Sequence, residues 1–138
     1  MRWDFTVPGE PRGKGRPRFS RQSGRAYTPR ETEVYENLVG LTFRQAYPDQ
    51  KPVVGNLELW INAYYGIPQS WSMKKQKASV GKYCRKKPDG DNIIKAICDG
   101  LNGVAYLDDT QIVEIHIVRC YSIYGHVDVS LTEVHEDT

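Results

Sequence analysis

Polar and apolar positions alternate near the N-terminus, with Trp3, Phe5 and Val7 on one side and Arg2, Asp4 and Thr6 on the other. That period of two predicts a strand with one wet face, ended by Pro8-Gly9. From Thr28 the period becomes helical: Thr28 can cap, Pro29 takes the first helical position and Glu31 completes a capping box. Val34, Leu38 and Leu41 then recur on one face, widened by Tyr35 and Phe43, until Pro48 stops the helix. After Gly55-Asn56, Leu57, Leu59, Ile61, Ala63 and Tyr65 alternate with Glu58, Trp60, Asn62 and Tyr64, which predicts a second strand. Its outer aromatics, Trp60 and Tyr64, suit stacking on bases or burial beneath a helix or a second subunit. Ser70 to Lys75 begins a short basic helix. Asp91 to Asn102 reads as a further helix closed by Gly103, with Ile93, Ile94, Ile97 and Leu101 on its apolar face and Asp91, Lys95, Asp99 and Asn102 opposite. Val113, Ile115 and Ile117 alternate with Glu114, His116 and Val118; a turn at Tyr124-Gly125 then leads to Val127, Val129 and Leu131, so these two strands are expected to form an antiparallel hairpin. His135 to Thr138 is expected to fray.

A chain of 138 residues suits one domain, and the mixture of helices and strands makes it α/β or α+β. Cys84, Cys98 and Cys120 form no C-x-x-C pair, which argues against a disulfide framework or a structural zinc site and for a cytoplasmic location. Cys98, beside the apolar helix face, reads as a small core residue rather than a nucleophile. His116, His126 and His135 have no ligand spacing. No apolar run approaches the roughly eighteen residues a membrane span needs, and Met1 to Asp4 lacks the build of a signal peptide.

Charge changes the picture by its distribution rather than its total, a net of only +2. Arg12, Lys14, Arg16, Arg18, Arg21, Arg25 and Arg30 fall between Pro11 and Arg30 without one acid. Lys74, Lys75, Lys77, Lys82, Arg85, Lys86 and Lys87 repeat this between Trp71 and Pro88. Two such runs are the footprint of a polyanion-binding surface, against the plainer reading of two solvated basic loops. Gly13, Gly15 and Pro17 keep the first run extended and mobile, so that Arg12, Lys14, Arg16 and Arg18 form a comb along one side for tracking phosphates.

Directly after the second run, five of the seventeen acidic residues crowd into Lys87 to Gln111. Asp89 and Asp91 flank Gly90 at the helix start, where one turn can aim both carboxylates at one ion. Asp99 lies eight residues beyond Asp91, about 12 Å along a helix, too far to share that ion. Its expected partner is Lys95 at i, i+4. Asp108 and Asp109 differ, because the six steps from Gly103 can span roughly 20 Å and bring one of them back to complete a three-carboxylate site. Magnesium suits such a site, and it relieves the repulsion between bare aspartates and a DNA phosphate. Lys95, one turn beyond Asp91 on the same face, is placed to neutralise charge developing on the phosphate. Each of these residues also has a plainer role, as helix cap, solvated lysine or turn, but those roles leave the two basic flanks unexplained.

The motifs P-D-G-D-N-I-I-K-A-I-C-D-G-L-N at Pro88 to Asn102 and Y-L-D-D-T-Q-I-V at Tyr106 to Val113, with P-G-E-P-R-G-K-G-R-P-R at Pro8 to Arg18, resemble the RusA family of Holliday-junction resolvases. The resemblance covers nearly the whole chain and implies a single domain over residues 1–138, a mixed, mainly four-stranded sheet flanked by helices. It implies Asp89, Asp91 and Asp109 as magnesium ligands, with manganese as the substitute ion, and Lys95 as the essential basic residue. Choosing Asp109 over Asp108 comes from that match alone. The partners it implies are branched DNA and a second copy in a homodimer; the charge runs, rather than the resemblance, assign DNA contact to Arg12, Lys14, Arg16, Arg18, Lys86 and Lys87. A less selective metal-dependent nuclease and a DNA-binding module without catalysis are the alternatives.

Overall fold

The computed structural model describes residues 1–136. The order of elements is β1 (Arg2–Pro8), β2 (Arg18–Phe19), β3 (Ala26–Tyr27), α1 (Arg30–Ala46), β4 (Leu57–Gly66), α2 (Met73–Ser79), α3 (Gly90–Leu101), β5 (Ile112–Ser122) and β6 (His126–Glu133). The fold is α+β, with three helices and a mixed four-stranded sheet. Of the expected frayed end, Asp137 and Thr138 lie outside the described residues. Among the described residues, no helix is long and apolar enough to cross a membrane.

The alternating strands do what their period requires. Trp3, Phe5 and Val7 of β1, Leu57, Leu59, Ile61, Ala63 and Tyr65 of β4, and Val127, Val129 and Leu131 of β6 are all buried on one face of the sheet. Against that face pack α1 and α3, the latter through Ile93, Ala96, Ile97 and Leu101, each fully buried. Burial of this kind contributes roughly 1.5–3 kcal/mol per large side chain, the main force holding the layers together.

The expected hairpin of the last two strands does not form. Sheet order is β1-β6-β4-β5, with β4 parallel to β5 and antiparallel to β6. β6 is thus inserted between β1 and β4, where both of its edges are hydrogen-bonded and its three apolar residues are covered. Skipping one strand means crossing about 10 Å. Four residue steps from Ser122 to His126 reach about 13 Å, so the short connection can pass over the end of β4. Glycines make the passage possible: a Cβ at Gly66 or at Gly125 would collide with Glu10 Oε1, the carboxylate oxygen that accepts the Gly66 N–H at 3.0 Å.

Helix α1 also departs from expectation. It starts at Arg30 with Pro29 as its cap, and no side chain caps it; the Pro29 carbonyl accepts the N–H groups of Thr32 and Glu33. The expected capping box of Thr28 and Glu31 is therefore absent. Its buried stripe is Thr32, Tyr35, Val39, Gly40 and Phe43, while Val34 and Leu41 are exposed. Close approach of α1 to α3 selects that face. A Cβ on Gly100 would lie 2.8 Å from Val39 Cβ and 2.9 Å from the Glu36 carbonyl, and one on Gly40 would lie 3.0 Å from the Gly100 carbonyl. Only paired glycines let the two backbones touch there.

The basic helix α2 forms as expected, capped by Ser72, whose hydroxyl accepts the Lys75 N–H. Helix α3 ends at Leu101 with Asn102 as its C-cap, and Gly103 follows with φ +76°. Cys98 is a buried core residue, and burial pushes its thiol up to about 11, which removes it as a nucleophile.

Candidate nucleic-acid cleft and metal site

The first basic run is not a free loop. Lys14 N–H donates to the Asn92 carbonyl at 3.0 Å and Gly15 N–H to Thr32 Oγ1 at 3.0 Å, so the segment is strapped across the starts of α3 and α1. Gly13 presses so closely on α3 that a Cβ would stand 2.9 Å from Pro88 Cβ and 3.0 Å from Asn92 Cβ. Beyond the strap, Arg18 and Phe19 pair with Tyr27 and Ala26 in a small hairpin.

Lys14 leaves the expected comb. Its Nζ lies 2.5 Å from Glu36 Oε1 and 3.0 Å from Asp99 Oδ2, in a largely covered triad. Burial opposes the charge on Lys14, but the two carboxylates outweigh it and raise its pKa. The expected Lys95–Asp99 pair is correspondingly absent among the described residues, because Asp99 is occupied by a lysine from outside the helix. An ion pair made across elements in a sheltered place outcompetes an exposed one along a helix surface.

Arg12, Arg16 and Arg18 of the first run and Lys86 and Lys87 of the second line one cleft of about 650 Å³. Its wall is completed by Tyr65 and Pro88, and Glu10 and Glu31 also reach it. The cleft thus ends one residue before Asp89.

The turn that delivers Asp89 is held from below by two residues that sequence reasoning passed over. Tyr65 Oη donates to the Pro88 carbonyl at 2.5 Å, and Arg119 Nη1 donates to the carbonyls of Lys86 at 3.1 Å and Pro88 at 3.3 Å. Arg119 had a readable signal: it occupies the inward register of β5, opposite Ala63, where its neighbours two residues away, Ile117 and Tyr121, are apolar or aromatic. Tyr65 looked like ordinary core, and its hydroxyl contact is invisible without the fold.

Asp89 caps α3 in an extended conformation, and its Oδ1 accepts from Asn92 Nδ2 at 2.5 Å. That hydrogen bond lowers the carboxyl pKa against a smaller desolvation effect, with help from the charges of Lys87 and Arg119. Asp91 is exposed in the first turn, where the helix dipole favours an anion. Lys95 is exposed one turn further on.

A 3₁₀ turn over Asp109–Gln111 precedes β5, anchored by Gln111, whose Oε1 accepts the N–H groups of Leu107 and Asp108 while its Nε2 donates to the carbonyls of Val53 and Gly55. Asp108 Oδ2 accepts from Thr110 Oγ1 at 2.8 Å, which ties that carboxylate into the turn. Burial raises the pKa values of Cys98 and Tyr106, with a smaller contribution from the charge of Asp109. Among the described residues no three Asp, Glu, His or Cys side chains come together closely enough to hold a metal. The segment after α3 is not extended. It coils through Gly103 N–H to the Tyr106 carbonyl, and Tyr106 Oη donates to the Cys98 carbonyl at 2.6 Å.

On the far side of the sheet, among the described residues, no helix covers Trp60 and Tyr64. Trp60 stacks on His116 with centroids 4.0 Å apart, and Tyr64 stacks on His126 at 4.5 Å. Asp4, Glu58, Glu114 and Asp128 share that face, a charge that repels a polyanion.

A family model described as endodeoxyribonuclease RusA matches residues 8–132. The chain is also 35% identical over 136 residues to the uncharacterized protein YqaN of Bacillus subtilis (strain 168), a match covering 94% of this chain and 95% of that protein.

Proposed function

The chain belongs to the RusA family of endodeoxyribonucleases, and on that premise we propose that it is a magnesium-dependent, structure-selective endonuclease that resolves four-way DNA junctions by hydrolysing phosphodiester bonds. The observation that carries the reading is the convergence of the two basic runs on one cleft that ends beside Asp89. A cleft lined by five cations binds a phosphate backbone without reading its sequence, as recognition by branch shape requires.

Magnesium fits the start of α3. It is a hard ion that takes oxygen ligands and is commonly held by one or two carboxylates, with waters and substrate phosphate completing its shell. Asp89 and Asp91 offer such oxygens, and the Asn92 contact lowers the Asp89 pKa further. The family resemblance makes Asp109 the third ligand in this reading; no three acidic side chains among the described residues come together unaided, so Asp109 would have to approach Asp89 and Asp91 as the ion binds; manganese would be accepted by the same donors. The bound ion supplies Lewis acidity toward the scissile phosphate and toward the attacking water. Lys95 presents its ammonium to the charge that builds on the phosphate. Arg12, Arg16, Arg18, Lys86 and Lys87 hold the flanking phosphates and fix the strand beside the carboxylates. Lys14 supports this surface by anchoring the strap rather than by touching DNA.

A four-way junction has two-fold symmetry, and a homodimer presents two equivalent sites for paired nicks. Incubation with labelled junction, replication fork and linear duplex, each with magnesium, with manganese and with chelator, tests the reading. Symmetric, metal-dependent nicks in the junction alone are the expected result. Equal cutting of all three substrates would replace it with an unselective nuclease, and binding without cutting with a DNA-binding module.

A further inference from the structure

Strand β5 is the edge of the sheet, and its two halves differ. Over its second half the chain segment before Lys86 supplies a neighbour: Cys84 N–H donates to the Arg119 carbonyl, Tyr121 N–H to the Lys82 carbonyl, and Gly81 N–H to the Tyr121 carbonyl. Over its first half, residues 112–118, no strand of the described chain pairs with the outer edge. That half is also apolar and open, with Val113, Ile115 and Val118 exposed by 52%, 44% and 38%. A long, apolar, unpaired edge is a template for another strand, and it carries neither lysine nor proline to prevent pairing.

We infer that this edge pairs antiparallel with the same edge of a second copy, with the two-fold axis at Ile115. The inference rests on the two-subunit part of the proposed function and names the surface that serves it. Three features select the register. Arg119 and Tyr121 turn their backbone groups outward, toward Lys82 and Cys84, so by the period of two the outward groups in the open half are those of Ile115 and Ile117, with Val113 beyond a register irregularity that opposes Ile112 to Leu57 and Glu114 to Glu58. An axis at His116 would run the second copy into the segment Lys82 to Cys84, already paired with the second half of β5. An axis at Glu114 would oppose two Glu114 carboxylates, which is unfavourable. With the axis at Ile115, Glu114 of each copy faces His116 of the other, an acceptor opposite an N–H donor. The second copy's Ile112 then comes to rest beside Val118, just short of the covered half.

An axis of this kind stands perpendicular to the sheet and makes it continuous over eight strands, with both helix layers on one side. Ile115 lies in register with buried Leu59, and Gly90 of α3 packs near Ile117 on that side. Both copies of α3 would therefore flank the axis on one face, a placement suited to one two-fold-symmetric substrate.

Sedimentation of the intact protein together with three single cysteine variants tests this without using activity. Facing Ile115 Cα atoms would lie about 5.5 Å apart, within disulfide reach. Val113 and its own mate, like Ile117 and its own mate, would be displaced by about 13 Å. Treated with diamide as the two-electron oxidant, Ile115→Cys is expected to give a covalent dimer, and Val113→Cys, Ile117→Cys and the native chain are not. A non-covalent measurement guards against altered folding: His116→Glu should raise the dimer dissociation constant about tenfold by opposing carboxylates in two places, and Glu114→Lys in the same chain should restore most of it. A dimer in which Ile115→Cys does not cross-link, or in which the double change fails to recover affinity, overturns the surface and leaves the two-subunit reading standing. A folded monomer at assay concentrations overturns both.

Discussion

Lys14 Nζ lies 3.0 Å from Asp99 Oδ2, and Glu36 Oε1 lies 2.5 Å from the same ammonium. One lysine from an irregular segment thus fastens α1 to α3 and, through its own N–H on the Asn92 carbonyl, fixes the path of the basic strap.

Lys14→Met should therefore cost stability rather than a grip on phosphate, because it leaves two partly covered carboxylates facing each other. About 1–3 kcal/mol is expected, read as a lower urea midpoint at pH 7. The sign with pH follows from the raised pKa of Lys14. Its contribution is present in full below the ordinary lysine value of 10.5 and is lost as pH rises through the higher folded value. Native and variant midpoints should accordingly converge in strongly alkaline buffer, and a constant gap would remove the ion triad as the cause.

The Asn92 hydrogen bond lowers the Asp89 pKa, so Asn92→Ala should raise it toward the ordinary 3.8. Carbon-detected NMR titration of the carboxyl measures it. Magnesium affinity near pH 4 should fall more than affinity at pH 7, where Asp89 is charged in both proteins. An unmoved titration would mean that Asn92 only shapes the turn.

Asp91→Asn should lower cleavage by at least about a hundredfold while junction binding persists or tightens, since a negative charge facing the phosphate is removed together with a ligand. Filter binding and single-turnover cleavage separate the two. Full activity in this variant would take Asp91 out of the mechanism.

Arg16→Glu combined with Arg18→Glu should weaken binding to every DNA alike and make the slope of log affinity against log salt shallower by roughly two, about one unit for each phosphate no longer neutralised. Lys14→Met, measured alongside, should leave that slope unchanged. A shared slope change would return Lys14 to the DNA surface, and an unchanged slope in the arginine variant would remove the cleft's phosphate role.

The helix carrying Asp89, Asp91 and Lys95 is legible in the sequence because its two faces are chemically opposite, with Ile93, Ile97 and Leu101 fully buried as their spacing requires. The strands are legible for the same reason, their period of two surviving wherever one face is buried. The buried face of α1 is not, as Val34 and Leu41 match a helical stripe as well as Tyr35 and Val39 do. Only the packing of Gly40 against Gly100 decides between them. Nor is the partner of Asp99, because a spacing rule sees neighbours along one helix and cannot see Lys14 arriving from another segment.

By itself the sequence determined the local periods, the segregation of basic runs from acids, and the motif that joins Asp89, Asp91 and Lys95 on one helix. Those properties follow from residues near one another in the chain. Tertiary structure decided the rest: that β6 lies between β1 and β4, that Tyr65 and Arg119 hold the turn before Asp89, and that the two basic runs share a cleft. Each of these depends on which distant segments win the limited positions around one core, a competition that no local window of sequence contains.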